Sequence, residues 1–161
     1  YANTKNTFFT ERINFMILLD ELRLELVGCR KEMEELADVL SIKASKERIE
    51  ELNAETAKDG FWDDLENSQK VLQETKSLER KIEKFNKLNG QLEDVITLIE
   101  LSIEEEDESS IEEIKDEAED FKKKLEEEKL IEELDKIVEE HKLNLDGDYY
   151  YNLYLESKGD D

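Results

Sequence analysis

Apolar residues at Phe15, Leu19, Leu22, Leu26, Cys29, Met33, Leu36 and Leu40 are separated by alternating steps of four and three. That alternation is a heptad seam, the pattern of a helix packed along its length against another. Glu25, Arg30, Lys31, Glu32, Glu34, Glu35 and Asp38 fill the rest of its surface. Gly28, inside the run, weakens the helix by about 1 kcal/mol relative to alanine and marks a candidate bend. A second seam runs from Leu65 through Ser68, Leu72, Thr75, Leu78, Ile82, Phe85, Leu88, Leu92, Val95 and Ile99 to Ser102. It predicts the longest helix, a rod of about 60 Å at a rise of 1.5 Å per residue, with Gly90 as its candidate bend. Between the seams, Ser45 reads as the N-cap of a short helix that buries Ile49 and Leu52 and ends at Gly60. The run Gly60-Phe61-Trp62-Asp63-Asp64 then forms the corner of a helical hairpin. Phe61 and Trp62 are expected to plug the bundle end, where two aromatics bury a large area in one turn. Asp63 stands at capping distance from Glu66 and places negative charge on the next helix's N-terminus.

The five carboxylates Glu104, Glu105, Glu106, Asp107 and Glu108 repel one another and are expected to end the rod. Ser109 and Ser110 follow, with Glu112 and Glu113 at capping-box distance, and open a fourth helix. Its buried face is Ile111, Ile114, Ala118, Phe121 and Leu125. The apolar phase then slips to Leu130, Ile131, Leu134, Ile137 and Val138, which implies a stutter, a kink or a separate helix. Beyond His141, Asp146-Gly147-Asp148 is a turn and Tyr149 to Leu155 alternates bulky residues as a strand does. A lone strand is unstable, so this one calls for another copy or a following domain. The expectation is therefore an all-α, elongated antiparallel helical bundle or coiled-coil hairpin with a short C-terminal β-like segment. Residues 1–19 are read as irregular, 20–142 as the helical domain and 143–161 as a tail suited to the first strand of another domain.

Composition narrows the function. Proline is absent from all 161 residues, which suits long uninterrupted helices. The 46 acidic and 23 basic side chains leave a net charge of −23, a surface that repels phosphate and lacks the basic footprint of direct nucleic-acid binding. Residues 104–140 hold 19 acidic and 6 basic side chains, a net of −13, so more than half of the excess is in one arm. A solvated face is the ordinary meaning of such a run, and a docking face for a basic protein surface is the functional one. Glu104, Glu105, Glu106, Asp107 and Glu108 are the candidate partner-binding residues. No stretch is apolar enough to span a membrane. The opening at Tyr1 rather than methionine reads as a cut or processed start.

Candidate chemistry is sparse. The single cysteine, Cys29, sits in an apolar stripe and reads as core, and the single histidine, His141, reads as a helix C-terminal group. One of each does not make an ordinary zinc site, and Asp146, Asp148 and Asp160 lack the ligand spacing of a calcium loop. Neither a phosphate-cradling glycine loop nor a nucleophile elbow occurs. No catalytic, cofactor-binding or metal residue is assigned, and the chain does not read as an enzyme.

The run Glu47 to Glu55, the corner Gly60-Phe61-Trp62-Asp63-Asp64, Ser68 to Val71, Leu92 to Val95 and Leu98 to Leu101 together resemble the N-terminal helical domain of bacterial class I peptide chain release factors. Among these the type-two factors, which read UGA and UAA, are most similar, and the likeness covers about residues 20–130. It implies a cytoplasmic, ribosome-docking domain near the protein-rich base of the large-subunit stalk. It also implies a part in translation termination and no cofactor. The family's catalytic Gly-Gly-Gln and its stop-codon Ser-Pro-Phe are absent, since no two glycines are adjacent and proline does not occur. No decoding or hydrolytic residue is carried over. The alternative from another class is a structural coiled-coil adaptor that self-associates or binds a basic protein surface.

Overall fold

The computed structural model describes residues 2–141, with side chains described for 7–140. Four α-helices follow in order: α1 (Ala2–Val39), α2 (Ile42–Thr56), α3 (Leu65–Glu105) and α4 (Ile111–His141). Single 3-10 turns, Phe61–Asp63 and Glu108–Ser110, join α2 to α3 and α3 to α4. The fold is all-α, and no strand occurs among the described residues. The expected strand Tyr149 to Leu155, the tail 143–161 and the side chain of His141 lie outside them.

The chain divides into two compact units, Tyr1–Phe121 and Lys122–Asp161. In the first, the buried stripe of α1 is Phe15, Leu19, Leu26, Cys29, Met33 and Leu36, and that of α3 includes Leu88, Leu92, Val95, Ile96 and Ile99. Both α1 and α2 pack on α3. Ion pairs and hydrogen bonds show the register: Arg48 meets Glu74, Lys81 donates to the Leu40 carbonyl, Arg30 meets Glu93 and Arg12 meets Glu106. As one strand of contacts ascends the other descends, so α1 and α2 run in series antiparallel to α3. Ser68 and Thr75 lie in the α3 seam yet are buried, because their hydroxyls donate to the Leu65 and Val71 carbonyls of their own helix. Cys29 does the same toward the Glu25 carbonyl.

Four local expectations are corrected. Residues 1–19 are not irregular, since α1 already runs from Ala2. Phe8, Phe9 and Ile13 are exposed there and show no buried stripe, so the first turns are carried by propagation from the packed seam, where each added residue gains a hydrogen bond. Ser45 is not an N-cap but a buried position inside α2, which begins at Ile42. The break between α1 and α2 is a single left-handed residue, Ser41, at φ 53°. The α3 cap falls one residue later than Asp63: Asp64 accepts from the Asn67 backbone N–H at 3.1 Å. Finally, only half of the expected aromatic plug is buried. Phe61 is 6% exposed and packs with Leu52, Val71 and Leu78, whereas Trp62 is 59% exposed.

At this corner Gly60 has φ 80°, which an L side chain rarely adopts, and the turn throws the next two side chains to opposite environments. Phe61 and Trp62 keep an edge-to-face contact, ring centres 4.9 Å apart. In α4 the buried positions Ile114, Ala118, Phe121 and Leu125 are those of the pattern. The helix is continuous through the phase slip, which removes the separate-helix alternative; Leu130 and Ile137 are exposed beyond it.

Three substitutions probe this account in thermal or denaturant unfolding. Phe61→Ala is expected to lower stability by about 3–5 kcal/mol, and Trp62→Ala by about 1–2 kcal/mol, for its contact with Phe61 and the covered part of its ring. A Cβ at Gly28 meets nothing within 4 Å. Gly28→Ala is therefore expected to raise stability by about 0.5–1 kcal/mol through helix propensity alone.

Candidate functional site

The acidic connection between α3 and α4 is the stretch singled out for partner binding, and the structure gives its five carboxylates different work. Glu104 and Glu105 finish α3 on the exposed surface. Glu106 terminates the helix in the left-handed conformation at φ 56°, and the Asp107 N–H reaches back to the Ser102 carbonyl at 3.0 Å. The Glu106 carboxylate pairs with Arg12 of α1. Asp107 is half-buried and accepts three hydrogen bonds: from the Ser109 N–H at 2.9 Å, the Ser109 hydroxyl at 2.6 Å and the Ser110 hydroxyl at 2.8 Å. The two serines thus donate to the preceding aspartate instead of capping α4. Those donors, the Ser109 hydroxyl foremost, hold the Asp107 carboxyl below its ordinary range.

Glu104, Glu105 and Glu108 remain. All three are exposed and make no ion pair among the described residues. The connection therefore presents a smaller anionic surface than its sequence suggests, with Glu106 and Asp107 occupied in shaping it. Beside it, Phe9, Arg12, Ile13, Met16, Ile17 and Glu106 line a shallow recess of about 330 Å³, apolar apart from the ion pair.

The corner residues Phe61, Trp62 and Asp63 do form the turn into α3. Asp63 is exposed and Phe61 anchors the turn from below. Sequence reasoning missed the fixed cross-helix forks. Arg30 donates to both Glu93 oxygens at 2.8 and 2.7 Å, and Arg48 to both Glu74 oxygens at 2.7 and 3.2 Å while also reaching Glu51 at 3.0 Å. Hydrogen bonding to the guanidinium lowers the pKa of Glu93 and of Glu74 and raises that of both arginines. An antiparallel pairing of the two seams would have brought Arg30 toward Glu93 and Arg48 toward Glu74, so the signal was there once the register was known.

Among the described residues no group of three or more histidine, cysteine, aspartate or glutamate side chains is placed to hold a metal ion. No helix among them is long and apolar enough to cross a membrane. What the geometry defines is an all-α helical hairpin domain whose distinctive surface is the acidic α3–α4 connection and the exposed corner. The PCRF domain model matches residues 45–147, from inside α2 through the corner, α3 and α4, and the chain belongs to that family. Similarity to individual proteins agrees. The chain is 40% identical over 82 residues to peptide chain release factor 2 of Aliivibrio fischeri, covering 51% of this chain and 22% of the relative. It is 35% identical over 99 residues to peptide chain release factor 2 of Corynebacterium aurimucosum, covering 62% and 25%. The factor of the same name from Clostridium perfringens is 36% identical over 85 residues, covering 53% and 23%. The matched region spans about a quarter of each relative.

A pH dependence follows from the lowered carboxyl groups. Their ordinary values are 3.8 for Asp107 and 4.5 for Glu74 and Glu93. A folded-state pKa below the unfolded one contributes stability that is fully present above the unfolded value and lost as pH falls through the folded value. Unfolding followed from pH 6 down to pH 2 is expected to show constant contributions above about pH 5 and progressive loss below about pH 4. In Asp107→Asn the acid-side slope is expected to be shallower, because that group no longer takes up a proton on unfolding.

Proposed function

We propose that this chain is the N-terminal helical domain of a type-two peptide chain release factor. In this reading it docks the factor on a bacterial-type ribosome, against basic protein at the base of the large-subunit stalk. The domain contributes to translation termination in the cytoplasm and does not itself hydrolyse peptidyl-tRNA, because the residues for hydrolysis and decoding are not among these 161. The observation that carries this reading is the PCRF match across residues 45–147, which takes in the corner, α3 and the acidic connection together. Similarity to release factor 2 from several bacteria supports the type. The net charge of −23 favours a protein contact over ribosomal RNA.

Purified chain is expected to compete with full-length factor for termination ribosomes in a peptide-release assay; no inhibition at large excess would count against docking. Replacing Glu104, Glu105 and Glu108 together by lysine is expected to weaken competition on the order of tenfold. The same change at Glu32, Glu34 and Glu35 serves as the control and is expected to have little effect.

A second reading, a coiled-coil adaptor that self-associates, has one observation in its favour: Phe8 and Phe9 of α1 are 69% and 64% exposed, beside exposed Ile13 and Ile17. Mass measured by light scattering over a hundredfold concentration range decides it. A concentration-independent monomer removes that reading.

A further inference from the structure

The corner of the hairpin carries an exposed apolar patch at the opposite end of α3 from the acidic connection, about 60 Å away along the helix. Trp62 is 59% exposed and Leu65, one turn on, is 72% exposed. The indole meets Phe61 edge-to-face, and Phe61 packs with Leu52 and Val71. Four carboxylates and one exposed lysine, Lys58, lie within four residues of it in the sequence. Asp59, Asp63, Asp64 and Glu66 are all exposed within seven residues of the ring's own turn. Asp64 is engaged as the α3 cap and Glu66 is paired with Lys70 at 2.7 Å. Asp59 and Asp63 have no side-chain ion pair among the described residues.

We propose that this corner is a docking site for an arginine-bearing loop of a partner protein, with a guanidinium stacked on the face of Trp62 and paired to Asp63 or Asp59. Charge complementarity selects the occupant. A planar cation matches an indole face and a carboxylate at once, whereas an ammonium satisfies the carboxylate and stacks less well. Phosphate-bearing nucleic acid meets four carboxylates, and a second copy of the chain meets the same four in duplicate. The site stands on the corner residues alone and does not rest on the ribosomal reading.

Trp62 is the only tryptophan in the chain, so its fluorescence reports this position and no other. The test titrates purified chain with a short peptide of alternating arginine and glycine, with the lysine–glycine peptide of equal length, and with a single-stranded RNA oligonucleotide. Expected is a saturable emission change and protection from acrylamide quenching with the arginine peptide, weaker with lysine and absent with RNA. In anisotropy with labelled arginine peptide, Trp62→Ala and Asp63→Asn are each expected to weaken binding about fivefold. Circular dichroism of both variants is expected to match the parent, because neither side chain is buried. Lysine substitution at Glu104, Glu105 and Glu108 is expected to leave the Trp62 signal unchanged. The proposal is overturned if arginine peptide leaves the emission untouched, if Trp62→Ala binds as tightly as the parent, or if RNA protects the ring equally well. No ribosome enters this assay, so its outcome is separate from that of the competition experiment.

Discussion

Everything in the first unit depends on the apolar seam of α3, because it is shared. Neither α1 nor α2 can bury its stripe alone, and both are laid end to end along the same antiparallel partner. The left-handed Ser41 makes this possible: one residue out of helical conformation lets the chain re-aim its stripe without leaving α3. Cross-helix forks then fix the sliding position. Each is exposed and contributes little stability by itself. Yet a seam of small and aliphatic residues permits neighbouring registers one heptad apart, and a planar guanidinium that must meet both oxygens of one carboxylate discriminates between them. Packing supplies the energy and the forks supply the address.

Apart from the single break at Ser41, the helices of this unit are joined by two longer connections, and both fall at the ends of α3. At one end Gly60 and the cap Asp64 turn α2 into α3; at the other Glu106 and Asp107 turn α3 into α4. Acidic residues recur at both for a local reason, since side-chain oxygens satisfy backbone N–H groups at helix starts. Part of the chain's large negative charge is therefore consumed in folding. At the two connections, Glu104, Glu105 and Glu108 at one end and Asp59 and Asp63 at the other are the carboxylates left for a basic surface to meet.

The two seams were legible because period and length are properties of the sequence, and the buried residues of α1, early α4 and the second half of α3 largely follow the spacing; at the start of α3 the stripe differs, since Leu65 and Leu72 are exposed and Val71 is buried in their place. Caps were legible in kind but shifted in place: Asp63 and Asp64 are equivalent by composition, and only the backbone decides which faces the Asn67 N–H. Ser45 illustrates the same limit, since a serine is equally at home as a cap or as a small buried group inside a helix. The first turns of α1 escaped notice because helix propagated from a packed seam leaves no periodic trace. At the acidic connection the sequence marked five carboxylates as one group and was silent on their division, because Arg12, almost a hundred positions away, and two neighbouring serines decide it.

Trp62 marks the deepest of these limits. Large aromatics next to a helical corner ordinarily stabilise by burial, and a fully covered indole removes about 150–250 Å² from water. Leaving more than half of the ring outside forgoes about 2–4 kcal/mol of that gain at 25 cal/mol per Å². A thin two-layer core has no second pocket at its end: Phe61 already fills the space among Leu52, Val71 and Leu78. The turn at Gly60 then sends the following side chain outward whatever its chemistry. A polar residue would serve the turn at the loss of the contact with Phe61 alone, so the fold explains why position 62 is exposed and only in part why it holds tryptophan. Stability accounts for the part of the ring that meets Phe61 and not for the larger part left in solvent.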